Sequence, residues 1–171
     1  MSLIPDKTDR RAPGTEQVFA WLERVMDPEI PVLSIVDLGI IAGVDVTGES
    51  VTVKITPTFV GCPALDAIRN EIAATLEAEG VSAYKIEVTM ETAWTSDRIT
   101  EKGRIALRQF GLTPPVPASH VIEDLTILES AQCPRCNGTN TEMRSLFGAT
   151  LCRSTHYCND CREAFEQFKP L

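Results

Sequence analysis

At 171 residues the chain has room for one modest hydrophobic core and a small appendage, because cores weaken quickly in units below about 70 residues. Its 43% apolar and 23% charged residues exclude a disordered or fibrous chain. The net charge of −8 is uneven: residues 131–171 carry five Lys/Arg against four Asp/Glu, leaving eleven against twenty in residues 1–130. An acidic surface of that kind repels phosphate backbones, which argues against nucleic-acid binding and for protein partners. No apolar run reaches the roughly 18 residues needed to span a bilayer, and Met1 to Gly14 is polar, so neither membrane insertion nor export is expected and a cytoplasmic location is. In that reducing compartment six cysteines point to metal or thiol chemistry rather than disulfides.

In chain order, Gly14 to Met26 carries Val18, Leu22 and Val25 at helical spacing, with Thr15 as the expected N-cap. Asp27-Pro28-Glu29-Ile30-Pro31 follows, where two prolines forbid a helix and leave a rigid acidic loop. Ile40 to Val46 and Val51 to Thr56 are rich in β-branched residues, and the turn residues Thr47 to Ser50 join them as a hairpin. After Gly61-Cys62-Pro63, the side chains of Leu65, Ile68, Ile72 and Leu76 share one helical face, with Pro63 suited to the first turn and Gly80 to the C-terminal stop. Tyr84 to Met90 reads as a third strand, and Asp97 to Phe110 as a third helix started by Ser96 and stopped by Gly111. The order αββαβα over residues 1–111 predicts an α+β two-layer domain with its helices on one side of a three-stranded sheet. Leu112 to Ser119 holds three prolines in eight residues and opens a semi-rigid linker, placed at 112–130, in which His120 is expected to be solvated.

Residues 131–171 carry Cys133-Pro134-Arg135-Cys136 and Cys158-Asn159-Asp160-Cys161, a spacing that predicts a zinc-ribbon-like subdomain. Each Cys-x-x-Cys turn aims two sulfurs at one point, and two such turns give the tetrahedral thiolate set that zinc prefers. About 40 residues cannot bury enough apolar surface to fold alone, so the metal is structural. Thr141 to Phe147 and Leu151 to Tyr157, turning at Gly148-Ala149, are the expected hairpin. Cys152 and His156 are spare donors whose even spacing with Cys158 along a strand puts all three on one face. An exchanged ligand or second metal is one reading; a half-buried thiol and a surface imidazole are the other.

Cys62 stands at the start of the second helix, where the macrodipole and unpaired N–H groups favour a thiolate and a lowered pKa. The alternative is a small apolar residue packed at a helix end. Asp27, Glu29 and Asp37 are an acidic set that the fold could bring near that thiol, where carboxylate and thiolate together would hold iron transiently, or else are solvated loop acids. No Ser-His-Asp set, phosphate loop or acid–base pair is present, and two histidines leave little for proton transfer. Independent catalysis is therefore not expected.

Asp27-Pro28-Glu29-Ile30-Pro31, Val36-Asp37-Leu38-Gly39-Ile40-Ile41 and Gly61-Cys62-Pro63-Ala64, followed by a proline linker and a Cys-rich tail, resemble the PaaD family, a component of the 1,2-phenylacetyl-CoA epoxidase system of phenylacetate catabolism. The first 110 or so residues resemble the wider SufT-like iron–sulfur assembly domain, and Phe147 to Cys152 and Phe165 to Lys169 resemble the PaaD tail. The resemblance implies an accessory protein that helps mature an oxygenase or reductase component, with Cys62 as the functional thiol, Asp27 and Glu29 as its acidic motif, structural zinc, and iron or an iron–sulfur cluster as transient cargo. The alternative is a non-catalytic zinc-containing docking component of the multicomponent oxygenase. A cysteine-dependent enzyme acting on a thioester ranks below both, since no base is identifiable.

Overall fold

A computed structural model of the chain describes residues 12–59, 62–117 and 131–170; Gly61, His120 and the linker from 118 to 130 lie outside the described residues. The first helix, α1 (Thr15–Leu22), buries Val18 and Leu22. It starts one residue earlier than expected, with Gly14 in the capping position, and ends four residues sooner. The end has a physical cause: the Asp27 amide bonds the Leu33 carbonyl at 2.8 Å and the Ile35 amide bonds the Val25 carbonyl at 2.9 Å. These bonds draw the chain back on itself before another helical turn can form. Ile30, Leu33, Ile35 and Leu38 fill the space beneath this acidic loop, each at most 3% exposed.

Strands β1 (Ile41–Thr47) and β2 (Ser50–Ile55) pair antiparallel, Val44 opposite Val53 and Val46 opposite Val51. Val51, Val53 and Ile55 alternate onto one face and are fully buried. Helix α2 (Leu65–Ala78) answers them with Ile68, Ile72 and Leu76 and closes at Gly80, whose φ of +84° is left-handed. Each such side chain contributes about 1.5–3 kcal/mol relative to exposure. The crossover returns β3 (Ala83–Val88) parallel to β2, giving a sheet in the order β1-β2-β3.

Helix α3 (Glu101–Phe110) begins later than the expected Asp97. Ser96–Arg98 form a separate 3-10 turn, Ile99 is extended and buried, and Thr100 caps the helix by accepting a 3.0 Å bond from the Gly103 amide. Gly111, at φ +93°, ends it.

The C-terminal part departs most from expectation. Leu112–Thr113, placed in the linker from sequence, is a short strand, β4, and Thr113 donates a 2.7 Å bond to the Gln132 carbonyl. The hairpin strands are shorter than expected, β5 (Thr141–Ser145) and β6 (Arg153–Cys158), and a further strand, β7 (Ala164–Phe168), follows. They form a second sheet, β4-β7-β6-β5, in which β4 and β7 are parallel. The proline cluster is thus tied to the ribbon sheet at its first residues. None of the described helices is long and apolar enough to cross a membrane.

Gly39, at φ +75°, is wedged where a Cβ would strike the Arg98 carbonyl and lie 2.7 Å from the Arg98 Cβ, whereas Gly48, at φ +59°, has open space around it. Gly48→Ala should cost about 1 kcal/mol and Gly39→Ala at least about 2 kcal/mol more in urea unfolding. Equal losses would contradict this packing of Arg98.

Candidate functional site: a four-sulfur centre and a thiol cleft

The two cysteine turns are built alike. The Cys133 amide bonds the Gly138 carbonyl and the Cys158 amide bonds the Glu163 carbonyl, both at 2.9 Å. The Asn137 amide returns to the Cys133 carbonyl at 3.0 Å, and the Arg162 amide to the Cys158 carbonyl at 2.9 Å. Asn137 and Arg162 are the non-glycine residues with positive φ among those described, 60° and 62°, each one step past its turn. These equivalent turns bring the sulfurs of Cys133, Cys136, Cys158 and Cys161 within 4.8 Å of one another. The Cys133–Cys161 and Cys136–Cys158 separations are 3.7 and 3.6 Å. Four thiolates about 2.3 Å from one ion would stand about 3.8 Å apart, close to these two separations, so the donor set suits a tetrahedral metal. Burial opposes ionisation of the Cys133 thiol, but the amides of Cys136 and Arg135 outweigh it and bring the pKa down to about 7.

Cys152 and His156 stand outside this group. Cys152 is 8% exposed and belongs to the core of the N-terminal unit. His156 is fully buried rather than on the surface; its Nε2 lies 3.0 Å from the Ser154 hydroxyl and its ring stacks on Phe165. The one-face arrangement with Cys158 therefore supplies neither an exchanged ligand nor a second ion at the four-sulfur centre.

Cys62 lies two residues before the Ala64 capping position of α2 and is half-buried. It lines a small cleft with Glu29, Thr58, Phe59 and Pro63 from the N-terminal unit and Leu151 and Cys152 from the ribbon. In place of the expected lowered pKa, burial pushes the Cys62 thiol up; the charges of Glu29 and Asp27 push the same way, and the amides of Ala64 and Leu65 pull against them without prevailing. The helix start thus acts as expected, but two carboxylates and an apolar wall outweigh it.

The acidic residues divide. Asp27 is 7% exposed and accepts the Glu29 and Ile30 amides, both at 2.8 Å, so it fixes the loop; burial pushes its carboxyl up despite those bonds. Glu29 faces the cleft, its Oε2 3.9 Å from the Cys152 sulfur. Asp37 belongs elsewhere: it accepts the Thr100 hydroxyl at 2.7 Å and the Ser34 hydroxyl at 2.9 Å and pairs with Lys102 at 3.1 Å, tying the loop to the start of α3. Burial opposes its ionisation, but these partners hold its carboxyl below the usual value. Arg153, which sequence reasoning passed over, spans the seam: its guanidinium donates to the Glu29 carbonyl and pairs with Glu166 at 3.1 Å. One arginine among four in the Cys-rich tail gave no signal of that role.

This architecture, a helix-covered three-stranded sheet with a thiol at a helix start joined to a four-cysteine ribbon, defines a two-part protein, an α+β domain carrying a metal-binding ribbon. Residues 15–88 match the iron–sulfur cluster assembly protein family and residues 119–169 the PaaD zinc β-ribbon domain. The chain is 36% identical over 157 residues to an Escherichia coli (strain K12) protein named as a component of the "Putative 1,2-phenylacetyl-CoA epoxidase", covering 92% of this chain and 93% of that one. It is 39% identical over 94 residues to the Porphyromonas gingivalis (strain ATCC BAA-308 / W83) "Fe-S protein maturation auxiliary factor", covering 54% of this chain and 89% of that one. Among solved structures, a domain of unknown function from Bacillus anthracis superposes with a TM-score of 0.51 at 27% identity, over 54% of this chain and 90% of that one. A conserved hypothetical protein from Thermotoga maritima gives 0.50 at 27% identity, over 60% and 99%. The chain belongs to the PaaD family, with an N-terminal domain of the SufT-like assembly type.

Cys158→Ser should remove the bound metal and unfold residues 131–170 while leaving α1, α2 and the β1-β2-β3 sheet folded, seen in a nitrogen–proton correlation spectrum as loss of the ribbon amide signals with N-terminal shifts confined to the seam around Glu29 and Trp94. Retention of a full metal equivalent and an intact ribbon would contradict the four-sulfur assignment.

Proposed function

We propose that this protein is an accessory maturation factor that delivers iron or an iron–sulfur cluster to an oxygenase or reductase component of a phenylacetyl-CoA epoxidase system, and that it has no catalytic activity of its own. The observation that carries the reading is the half-buried Cys62 beside Glu29 at the start of α2, in a domain of the iron–sulfur assembly family. The two named relatives support both halves of it, one as an epoxidase component and one as an Fe-S maturation factor. The ribbon takes zinc, because four thiolates in a closed tetrahedral set are its preferred structural donors, and that ion serves folding. A thiol kept protonated by burial and nearby carboxylates is a poor nucleophile at neutral pH but becomes a ligand when a cation displaces its proton. That behaviour suits a carrier better than an enzyme.

A docking role is the second reading, and the apolar tip of the ribbon favours it. Leu146, Phe147 and Leu151 are 52%, 69% and 52% exposed, and clustered exposed apolar side chains of this kind mark interaction surfaces. The two readings separate on one experiment, in which the oxygenase and reductase components are produced with wild-type protein or with Cys62→Ala, then analysed for iron and acid-labile sulfide. Maturation predicts several-fold lower content in one component with the variant. Unchanged content together with a stable complex would overturn maturation in favour of docking.

A further inference from the structure

The ribbon quartet accounts for four of the six cysteines, and the two that remain line the same cleft although 90 positions separate them in the chain. Cys62 comes from the start of α2 and Cys152 from the residue before β6, so neither domain alone contains the pair. Glu29 completes the set from the acidic loop, its Oε2 3.9 Å from the Cys152 sulfur. Two thiols and a carboxylate lining one cleft are a donor set for a thiophilic divalent cation. Two cations stand by the cleft and both are engaged: the Arg153 guanidinium by the Glu29 backbone carbonyl and the Glu166 carboxylate, and the Lys169 ammonium, over the Phe59 and Phe147 rings, by the Leu146 carbonyl. Asp27 adds a further charge behind the loop and acts on both thiols. The charges of Glu29 and Asp27, which both thiols feel, favour a bound cation there.

We propose that Cys62, Cys152 and Glu29 form a composite site at the seam between the two domains, which takes a thiophilic divalent cation such as ferrous or cobaltous ion. Binding forms two metal–sulfur bonds and one metal–oxygen bond and releases the two thiol protons to solvent, with no change of oxidation state. Burial raises both thiols, and the charges of Glu29 and Asp27 add to this, so the protons stay on until a cation arrives. The site is also open. Among the described residues only the ribbon quartet brings three or more donor atoms within 4.8 Å of one another, so the seam donors must close around an ion. Rotation of the half-buried Glu29 side chain, which has three torsions to adjust, is the simplest movement that does so. A closed quartet retains its ion and an open trio exchanges it, which is the division a carrier needs. The proposal deepens the maturation reading and rests on it for its purpose.

The test is anaerobic titration of cobaltous ion into zinc-replete full-length protein, followed by thiolate-to-cobalt charge-transfer absorption. Zinc holds the ribbon against cobalt because four thiolates in a closed tetrahedral set are its preferred structural donors. Wild type is expected to bind one further equivalent, and Cys62→Ser and Cys152→Ser each to weaken binding at least about tenfold and reduce the band to about half. Zinc content of one per chain in each variant controls for folding, with Cys152→Ala as a second variant. Wild-type affinity and band intensity in Cys152→Ser would overturn the composite site, as would cobalt uptake only in exchange for zinc. The maturation reading is judged separately by the cofactor content of the client. If Cys152→Ser binds cobalt normally while Cys62→Ala still starves the client, the composite site fails alone. Clients loaded equally by every variant would remove the maturation reading instead.

Discussion

Phe168, at the end of β7, is 1% exposed and lies in the core of the N-terminal domain, its ring centroid 5.8 Å from that of Trp94. That contact seats the ribbon on the assembly domain, and the special features of this chain depend on it. Trp94 is itself fixed, its indole N–H donating to the Leu38 carbonyl at 3.0 Å beneath the acidic loop. On the other side of the seam the Lys169 amide bonds the Cys152 carbonyl at 2.8 Å, and Arg153 reaches the Glu29 carbonyl. One buried aromatic pair, a buried arginine and a cysteine thus share a single apolar junction, and loosening any of them would move Cys152 relative to Cys62. Buried junctions of this kind switch between packed and unpacked arrangements rather than deform gradually.

The two cysteine groups differ in what the backbone does for them. In the ribbon, two equivalent turns with left-handed residues at Asn137 and Arg162 aim all four sulfurs at one point, and the amides around Cys133 favour its thiolate. At the seam the loop, the helix start and the ribbon each supply one donor, and the carboxylates oppose ionisation of the thiols. The same element, sulfur, is therefore held in one place as a permanent ligand and in the other as a protonated reserve. Domain organisation is the cause: a ligand set made within one hairpin pair is rigid, while one assembled across three segments is adjustable.

Much of the fold was legible in the sequence because its signals are local. Alternation in Val51-Thr52-Val53, the 3.6-residue spacing from Ile68 to Leu76, and glycines at positions 80 and 111 act within a few residues of where they stand. The Cys-x-x-Cys turns are local in the same way. What escaped was tertiary. Strand β7 carries a buried Gln167 between buried aromatics, so its pattern does not read as a half-exposed strand, and β4 is two residues long and exists only by pairing with it. The start of α3 moved to Thr100 because the Asp37 carboxylate, 63 positions away, holds that hydroxyl. The electrostatics of Cys62 were misread for a similar reason. A helix start is visible in sequence, whereas the burial and the two carboxylates that outweigh it come from the loop and the seam. Cys152 looked like a spare zinc ligand from its spacing, yet packing turned it toward the other domain.

The seating of the ribbon underlies both the cleft and its chemistry, and nuclear Overhauser contacts in zinc-loaded full-length protein measure it directly. The packed seam predicts cross-peaks between the Trp94 indole and Phe168 ring protons, with residues 15–88 and 131–170 sharing one rotational correlation time. Absence of those cross-peaks, with faster independent tumbling of the ribbon, would contradict it.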